Sequence, residues 1–237
     1  MKETGKTKRI VLVAKSLGKR VNENGRIKVV FSNGDSYSLR FANIKDIYYL
    51  NGLFYIVYET ENPEFYEKYS VPELPMHAVS VAFYLVEYEE ERCEKCGSPI
   101  LWDADEPYCP KCGSGFPGYI KMKVREIKLE DRPIEEAKEF CEKLLGVKCG
   151  LEDTLYSSAA GGFTPLFSMD RVNVELYSVK VKRLAVVDNP AFKESHYDEL
   201  EIYERTYTGK FVVIEVMEKK TAKINYVLFR IQGEPSS

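Results

Sequence analysis

The chain of 237 residues lacks a long hydrophobic stretch and is poor in histidine, glutamine and tryptophan. No segment approaches the ~20 consecutive apolar residues that a membrane-spanning helix needs. The early cations Lys2, Lys6, Lys8 and Arg9 are not followed by the apolar run of a secretory signal peptide. We therefore expect a cytoplasmic protein with no membrane partner, in which cysteines bind metal more often than they form disulfides.

The sequence also lacks the motifs of common enzyme classes. It has no Gly-x-Ser-x-Gly nucleophile elbow, no phosphate-binding P-loop and no glycine fingerprint for dinucleotides. Its two histidines, His77 and His196, lie beside a proline-containing loop and in a polar segment, where surface or capping histidines are commoner than catalytic ones. We therefore expect a binding protein rather than an enzyme.

Charge and composition narrow the class of protein further. The net charge is −3, so the chain as a whole is not a basic coat for nucleic acid, although a local basic stripe is sufficient for binding. Lysine and glutamate are abundant, and Gln232 is the one glutamine. This bias is typical of proteins from heat-loving organisms, so we expect an archaeal or thermophilic source.

The most informative feature that is present is a set of four cysteines in two Cys-x-x-Cys pairs, each followed by glycine. Two such pairs with a short spacer between them suit tetrahedral Zn²⁺, and four thiolates leave no open position for water or substrate. The sequence therefore predicts a structural zinc ribbon; two disulfides or four free thiols are the alternatives. Cys141 and Cys149 flank a predicted helix end, and the sequence does not decide whether they pair. The predicted ligands are Cys93, Cys96, Cys109 and Cys112.

Strand patterns dominate the rest of the chain. Three Asn-Gly pairs, at 24–25, 33–34 and 51–52, predict type I′ hairpin turns in a meander or small barrel. One amphipathic helix is predicted over 133–145, with Asp131 near its N-cap, Pro133 in its first turn and Gly146 after its end. The small residues of 157–162 predict a linker or mobile loop. Further strands are predicted at 171–187, 199–206, 210–218 and 223–231.

These elements predict a mostly β fold. We expect a small barrel of the oligonucleotide-binding type with an inserted zinc ribbon and one helix, plus a second C-terminal β unit. The predicted domains are an N-terminal β domain, the ribbon, a strand-helix continuation of the first domain and a C-terminal β domain. Their predicted bounds are 1–92, 93–118, 119–156 and 163–237.

The strand after the ribbon alternates between cations and apolar residues. Lys121, Lys123 and Arg125 fall on one face, and Phe116 and Tyr119 stand just before them. Cations beside aromatic rings are typical of a groove for single-stranded nucleic acid, in which rings stack on bases. The alternative is the solvated outer face of an antiparallel strand. A second basic group has the same two interpretations and comprises Lys180, Lys182 and Arg183.

The region from 91 to 150 resembles the zinc-bearing DNA-binding domain of the replication protein A large subunit and its archaeal relatives. The resemblance rests on Tyr108 to Cys112, Phe116-Pro117, Tyr119 to Leu129 and Glu136 to Gly146. It implies a ribbon inserted in an oligonucleotide-binding barrel that grips single-stranded DNA in replication, repair or transcription. Here 131–133 leads straight into the helix, whereas the family has another strand before it.

A second segment, Leu184 to Phe192, resembles part of the virion maturation proteases and related phage head proteins. That resemblance implies a viral hydrolase with a serine nucleophile and a histidine base. A further alternative is an accessory protein that docks another protein through the ribbon, with the acidic residues Asp103, Asp105 and Glu106 as its docking patch.

Overall fold

The computed structural model describes residues 7–113, 118–196 and 202–233. This part of the chain is mostly β, with antiparallel sheets and two helices, α1 (Pro63–Tyr66) and α2 (Pro133–Leu145). Neither helix is long and apolar enough to cross a membrane. Single 3₁₀ turns occupy Phe41–Asn43 and Glu67–Tyr69.

The strands of the described residues fall into an N-terminal group, a short hairpin and a C-terminal group. The N-terminal group is β1 (Lys8–Val21), β2 (Arg26–Phe31), β3 (Ser36–Arg40), β4 (Ile44–Leu50), β5 (Leu53–Thr60), β6 (Ser70–Val71), β7 (Val79–Ser80), β8 (Phe83–Cys93) and β11 (Tyr119–Leu129). The short hairpin is β9 (Leu101–Asp103) and β10 (Glu106–Tyr108). The third group is β12 (Lys148–Tyr156), β13 (Gly161–Pro165), β14 (Asp170–Glu175), β15 (Val179–Asp188), β16 (Ala191–His196), β17 (Ile202–Thr206), β18 (Lys210–Glu218) and β19 (Ile224–Gln232).

The N-terminal strands form one sheet in the order β3-β2-β1-β5-β4-β7, with β6 and β11 also paired to β1. The long strand β1 changes partners near Ala14, which faces both Phe31 of β2 and Phe54 of β5. Buried side chains such as Leu12, Ile27 and Ile56 fill the concave side. Within the described residues the pairing ends at β3 and β7, so the expected barrel is not detected as a closed one.

Strands β8 and β11 form a long two-stranded arm. They pair over their full length, from Phe83 with Leu129 to Cys93 with Tyr119. Only the base of the arm joins the sheet, because β11 pairs with β1 at Arg20 and Val21 alone. The hairpin β9–β10 and the four predicted ligands lie at the other end of the arm.

The C-terminal strands form a layered unit. A five-stranded sheet has the order β12-β19-β18-β15-β14, and a three-stranded sheet has the order β13-β16-β17. In β18, Val212 and Ile214 pack with Phe140 of α2 on one side, whereas Phe211 and Val213 pack in a separate cluster on the other. The sheet is therefore covered on both faces, which explains why β18 is a continuous apolar run.

Several local predictions need correction, and others are confirmed. The helix runs over 133–145 as predicted, and Gly146 ends it with a left-handed backbone (φ 67°). Of the three Asn-Gly pairs, only 51–52 has positive φ at both residues, as a type I′ turn requires. The predicted linker at 157–162 is a tight turn leading into β13, and 171–187 contains two strands, because the chain reverses at 176–178.

Gly161 begins β13 for a steric reason. A Cβ atom there would meet the carbonyl oxygen of Ser195 at 2.3 Å, and the neighbouring strand β16 leaves no room for one. The small-residue segment therefore reflects close approach of two strands rather than mobility. The strand β16 itself is not among the strands that the sequence predicts.

Candidate functional site

Both Cys-x-x-Cys pairs fold into the same kind of turn. The amide of Gly97 donates to the carbonyl of Cys93, and the amide of Gly113 donates to that of Cys109, both at 2.8 Å. The two glycines have φ of 68° and 62°, and a Cβ atom at either position would meet nothing within 4 Å, so backbone conformation alone requires glycine. Each turn aims its two sulfurs at the same point.

The four sulfurs form a compact cluster that fits a tetrahedral metal. They all lie within 4.8 Å of one another, and the Sγ atoms of Cys96 and Cys109 are 3.4 Å apart. Those of Cys93 and Cys112 are 3.9 Å apart. Zinc with sulfur ligands at about 2.3 Å requires sulfur separations of about 3.8 Å, whereas a disulfide requires about 2.05 Å. The donor set is therefore that of a structural metal site, and the cysteines are not disulfide-bonded.

The thiols are not equivalent in their protonation. Hydrogen bonds from Ser98 lower the pKa of Cys96 to about 6. A hydrogen bond with Cys96 raises the pKa of Cys112 to about 12, because the Cys112 thiol that donates to a neighbouring sulfur keeps its proton. Four thiolates in one place therefore need a bound cation to balance their charge.

The first knuckle is fastened to the arm. The amide of Cys93 donates to the carbonyl of Ser98 at 2.9 Å, which turns the end of β8 back on itself. Arg92 bridges the arm and the knuckle, because its guanidinium donates to Glu90 at 2.6 Å and to the carbonyl of Gly97 at 2.9 Å. The metal site is thus held in a fixed orientation relative to the arm.

The hairpin β9–β10 carries the most exposed apolar residues near the metal site. Leu101, Trp102 and Tyr108 are 47 %, 50 % and 39 % exposed. Leu101 pairs with Tyr108 on one face of the hairpin, and the indole of Trp102 donates to Glu91 on the other. The exposed acids Asp103, Asp105 and Glu106 surround these side chains. We call these six residues the ribbon tip.

The three cations of β11 stand directly opposite three glutamates of β8. Lys121, Lys123 and Arg125 pair across the strands with Glu91, Glu89 and Glu87. Lys121 lies 3.9 Å from Glu91, and Arg125 lies 4.0 Å from Glu87. The predicted basic stripe is therefore one row of a mixed-charge ladder, in which each cation has an acid neighbour.

A groove of about 850 Å³ runs between the middle of the arm and the end of β1. Its cations are Arg20, Arg92, Lys123 and Arg125, but most of them are engaged. Arg20 donates to Glu90 at 2.8 Å, and Arg125 donates to the carbonyls of the 22–24 loop. Among the described residues, Lys123 is the groove cation that forms no ion pair or hydrogen bond.

The two aromatic residues predicted to stack on bases have different outcomes. Phe116 lies outside the described residues. Tyr119 is half-buried and packs its ring against that of Trp102, with ring centroids 5.8 Å apart. Tyr119 thus belongs to the small core around the metal site, and Trp102 is the more exposed ring of the pair.

The second predicted basic group, Lys180, Lys182 and Arg183, lies on β15, and only part of it is free to contact a phosphate. Arg183 donates to Glu215 and, at 3.1 Å, to the hydroxyl of Tyr226. Lys180 pairs across the strands with Glu175, and Lys182 stands at a bulge between paired residues. The three cations therefore do not form a single phosphate-binding row.

Neither histidine is part of a catalytic arrangement within the described residues. The Nδ1 atom of His77 is buried without a hydrogen-bond partner, and the ring packs against Phe140. His196 lies 3.3 Å from Glu194 at the end of β16. No serine hydroxyl is hydrogen-bonded to either ring in this part of the chain.

One charged pair is not among the residues that the sequence patterns single out. Arg26 of β2 and Arg40 of β3 stand directly opposite each other, beside a groove of about 480 Å³. The signal is present in the sequence, because a hairpin centred on Asn33 places residues 26 and 40 in register. Comparisons of the chain with protein-family models, with curated proteins and with solved structures gave no match.

Proposed function

We propose that this chain is a binding protein, not an enzyme, whose ribbon tip docks a basic segment of a partner protein. The observation that carries the proposal is the exposure of Leu101, Trp102 and Tyr108 among acids at the far end of the arm. Large apolar side chains rimmed by polar residues are typical of protein interaction sites. Aromatic residues are also enriched at interfaces.

The charge of the ribbon favours a basic partner. Between 91 and 113 there are five acids and three bases, and a zinc ion with four thiolates adds two further negative charges. Charge complementarity of this kind raises association rates and selects against acidic partners, including nucleic acids. The five acids are Glu91, Glu94, Asp103, Asp105 and Glu106.

The identity of the metal and the type of the N-terminal sheet are part of the same proposal. The metal is Zn²⁺, because four thiolates at tetrahedral spacing are its usual structural site. The N-terminal sheet is related to the oligonucleotide-binding type of barrel but is open between β3 and β7; the way in which β1 divides its partners at Ala14 supports this interpretation. The zinc ion would hold the ribbon tip rigid and take no part in chemistry.

Site-specific photo-crosslinking tests the docking proposal. A photoreactive amino acid at Tyr108 should capture partner peptides rich in lysine and arginine. The same group at Tyr84, which is 53 % exposed at the base of the arm, is the matched control. Capture from Tyr108 should weaken as the salt concentration rises. It should also weaken in the variant Asp103→Asn/Asp105→Asn/Glu106→Gln. The control variant Glu64→Gln/Glu67→Gln/Glu73→Gln, which removes the same charge elsewhere, should not weaken it. Equal capture from both positions, or captured peptides without basic residues, contradicts the proposal.

A second candidate is binding of single-stranded nucleic acid along β11, as in the replication protein A resemblance. The groove beside the arm, with Arg20, Arg92, Lys123 and Arg125 on its walls, favours it. Titration of labelled single- and double-stranded oligonucleotides at several salt concentrations separates the candidates. If Lys121→Ala/Lys123→Ala weakens single-strand binding and lowers the slope of log affinity against log salt by about 0.7 per lost phosphate contact, the second candidate gains.

A further inference from the structure

Two arginines face each other across neighbouring strands without an acid between them. Arg26 and Arg40 are directly paired in register on β2 and β3, and Lys28 follows one pair further along the same face. All three side chains are exposed, and none forms an ion pair with another described residue. Like charges directly opposite each other destabilise a sheet, so this arrangement needs a reason.

Two acids lie on the adjoining groove, but neither forms an ion pair with Arg26 or Arg40. Glu61 is exposed at the rim and forms no ion pair with another described residue. Glu59 lies on the wall of the adjoining groove, but its carboxylate is held by Arg9 at 2.9 Å and by Lys45 at 3.1 Å. These two cations lower the pKa of Glu59, with Arg9 as the larger cause. Arg26 donates to the carbonyl of Ser38 at 3.0 Å, which orients the guanidinium but does not neutralise it.

The groove beside the pair is polar and has a volume of about 480 Å³. Its walls include Arg26, Arg40, Tyr58 and Tyr66 together with the acids Glu59 and Glu61. The backbone amide of Arg40 donates to the hydroxyl of Tyr58 at 3.3 Å, so this part of β3 is fixed. Burial, and after it the neighbouring hydroxyl of Tyr58, raises the pKa of Tyr66 to about 12, because both disfavour the ionised form.

One aromatic ring near the arginines, that of Tyr66, lies on the groove wall, and the exposed ring of Phe65 packs against it. The ring of Phe65 lies 4.9 Å from that of Tyr66 and 5.4 Å from that of Tyr37. Phe65 is 45 % exposed and Tyr37 is 38 % exposed, although both pack at the edge of the N-terminal core. An anion held at the arginines would therefore have aromatic surface beside it.

We infer that this groove binds a phosphate group of a nucleotide or of a single nucleic-acid strand, with Arg26 and Arg40 as its ligands. Two planar guanidinium groups match the geometry of phosphate oxygens. Phe65 offers a face for the attached base, since stacking on aromatic rings tolerates any base. The site lies on β2, β3 and α1, away from the ribbon tip, and does not depend on the docking proposal.

The test is a titration of the full-length, zinc-loaded protein with fluorescent oligothymidylate, pyrophosphate and inorganic phosphate. Arg26→Gln/Arg40→Gln should weaken oligothymidylate binding by about tenfold or more, because each lost charge-assisted contact costs about tenfold. Arg171→Gln/Lys193→Gln removes the same charge from two exposed cations of the C-terminal sheets and should leave binding unchanged. Lys121→Ala/Lys123→Ala should also leave it unchanged, which separates this groove from β11.

Stability distinguishes a binding pair from a structural one. Because the arginines repel each other, Arg40→Gln should leave the melting temperature unchanged or raise it while it weakens binding. If inorganic phosphate displaces the fluorescent oligothymidylate at a concentration similar to that at which the oligonucleotide binds, the groove is a site for free phosphate. If only unlabelled oligonucleotide displaces it, the groove is a site for a strand. No binding of any of the three probes, or equal binding by wild type and Arg26→Gln/Arg40→Gln, overturns the inference.

Discussion

At the scale of single residues, Glu136 is the acid whose environment matters most for stability. It is 2 % exposed and is the one buried acid among the described residues. Its two carboxyl oxygens accept hydrogen bonds from the amide of Ser178, at 2.8 Å, and from the Ser178 hydroxyl, at 3.1 Å. These bonds join α2 to the turn between β14 and β15. Burial nevertheless dominates and raises the pKa of Glu136 to about 7.

The raised pKa predicts a specific pH dependence. In the unfolded chain Glu136 loses its proton near its ordinary pKa of 4.5, whereas the folded protein keeps it until about pH 7. The folded state therefore binds more protons in this window, and stability falls as the pH rises from about 4.5 to 7. The loss from this residue is about 3 kcal/mol and is complete above pH 7.

Glu136→Gln tests this prediction, since glutamine keeps the shape and one acceptor but cannot ionise. We expect the variant to lose that part of the pH dependence and to be more stable than the wild type at pH 8. Urea unfolding at several pH values measures both. Glu135→Gln, one residue earlier and exposed, is the control. Parallel curves for wild type and Glu136→Gln would show that the carboxyl is not the titrating group.

Phe140 gives the residue-scale test of the helix packing. It is 1 % exposed in the cluster between α2 and the five-stranded sheet, whereas Leu144 is only partly buried there. Phe140→Ala should lower the free energy of unfolding by about 3–5 kcal/mol, because it leaves a cavity under the helix. Leu144→Ala should cost less. The measurement is denaturant unfolding, and an equal effect of the two changes would contradict this packing.

At the scale of elements, the ribbon is a separate cluster on the end of the arm. The small core around Cys93, Ile100 and Cys109 shares no residue with the buried clusters of the two larger units. Metal binding and local folding are coupled in such small modules, because they have little other core. The ribbon should therefore respond to metal removal by itself.

Chelation is the direct test. We expect one zinc ion per chain, and its removal should expose the amides of 93–113 to hydrogen exchange while β1, β18 and α2 stay protected. Cys96→Ser should abolish stoichiometric zinc, whereas Cys149→Ala, which changes a cysteine outside the cluster, should retain it. Freshly purified protein without zinc and with the mass of two disulfides would end the zinc assignment.

Structures formed by residues close in the chain were predictable from the sequence, whereas the pairing of strands distant in the chain was harder to predict. The knuckles and the helix depend on residues close in the chain, such as Gly97, Pro133 and Gly146, so spacing was sufficient to predict them. The placement of Lys121 and Lys123 opposite glutamates depends on β8, which lies on the other side of the ribbon in the sequence. The sequence did contain a signal for this pairing. Acids alternate before the ribbon, at Glu87, Glu89 and Glu91, and cations alternate after it. A ribbon that joins two strands closes an antiparallel hairpin, so the two rows of charge were bound to face each other.

This pairing makes a testable prediction about the arm. If the glutamates mask the cations, then Glu87→Gln/Glu89→Gln/Glu91→Gln should gain affinity for single-stranded DNA, with a salt slope of about 0.7 for each phosphate contacted. Glu135→Gln/Asp170→Asn/Glu204→Gln changes the net charge equally at three exposed acids away from the arm and should not gain the same affinity. An equal gain in both variants would mean that net charge, rather than the ladder, limits binding.

At the scale of the whole molecule, the two larger units share side chains. Val79 of β7 is fully buried in the cluster formed by α2 and the five-stranded sheet, although its backbone pairs with Tyr49 of β4. The amide of Asn51 donates to the carbonyl of Glu175 at 2.9 Å. Lys143 of α2 donates to the carbonyl of Ala78 at 2.5 Å. Burial across this boundary couples the folding of the two units.

The coupling predicts that the N-terminal sheet and the C-terminal unit melt in one cooperative transition. In differential scanning calorimetry the calorimetric enthalpy should equal the van't Hoff enthalpy for this main transition. Val79→Asp places a charge in the shared core and should separate the transition into two, because each unit keeps its own cluster of buried residues. Val186→Asp, at a position 44 % exposed on β15, should melt as the wild type does. Two separate transitions in the wild type would show that the shared core around Val79 is too weak to couple the units.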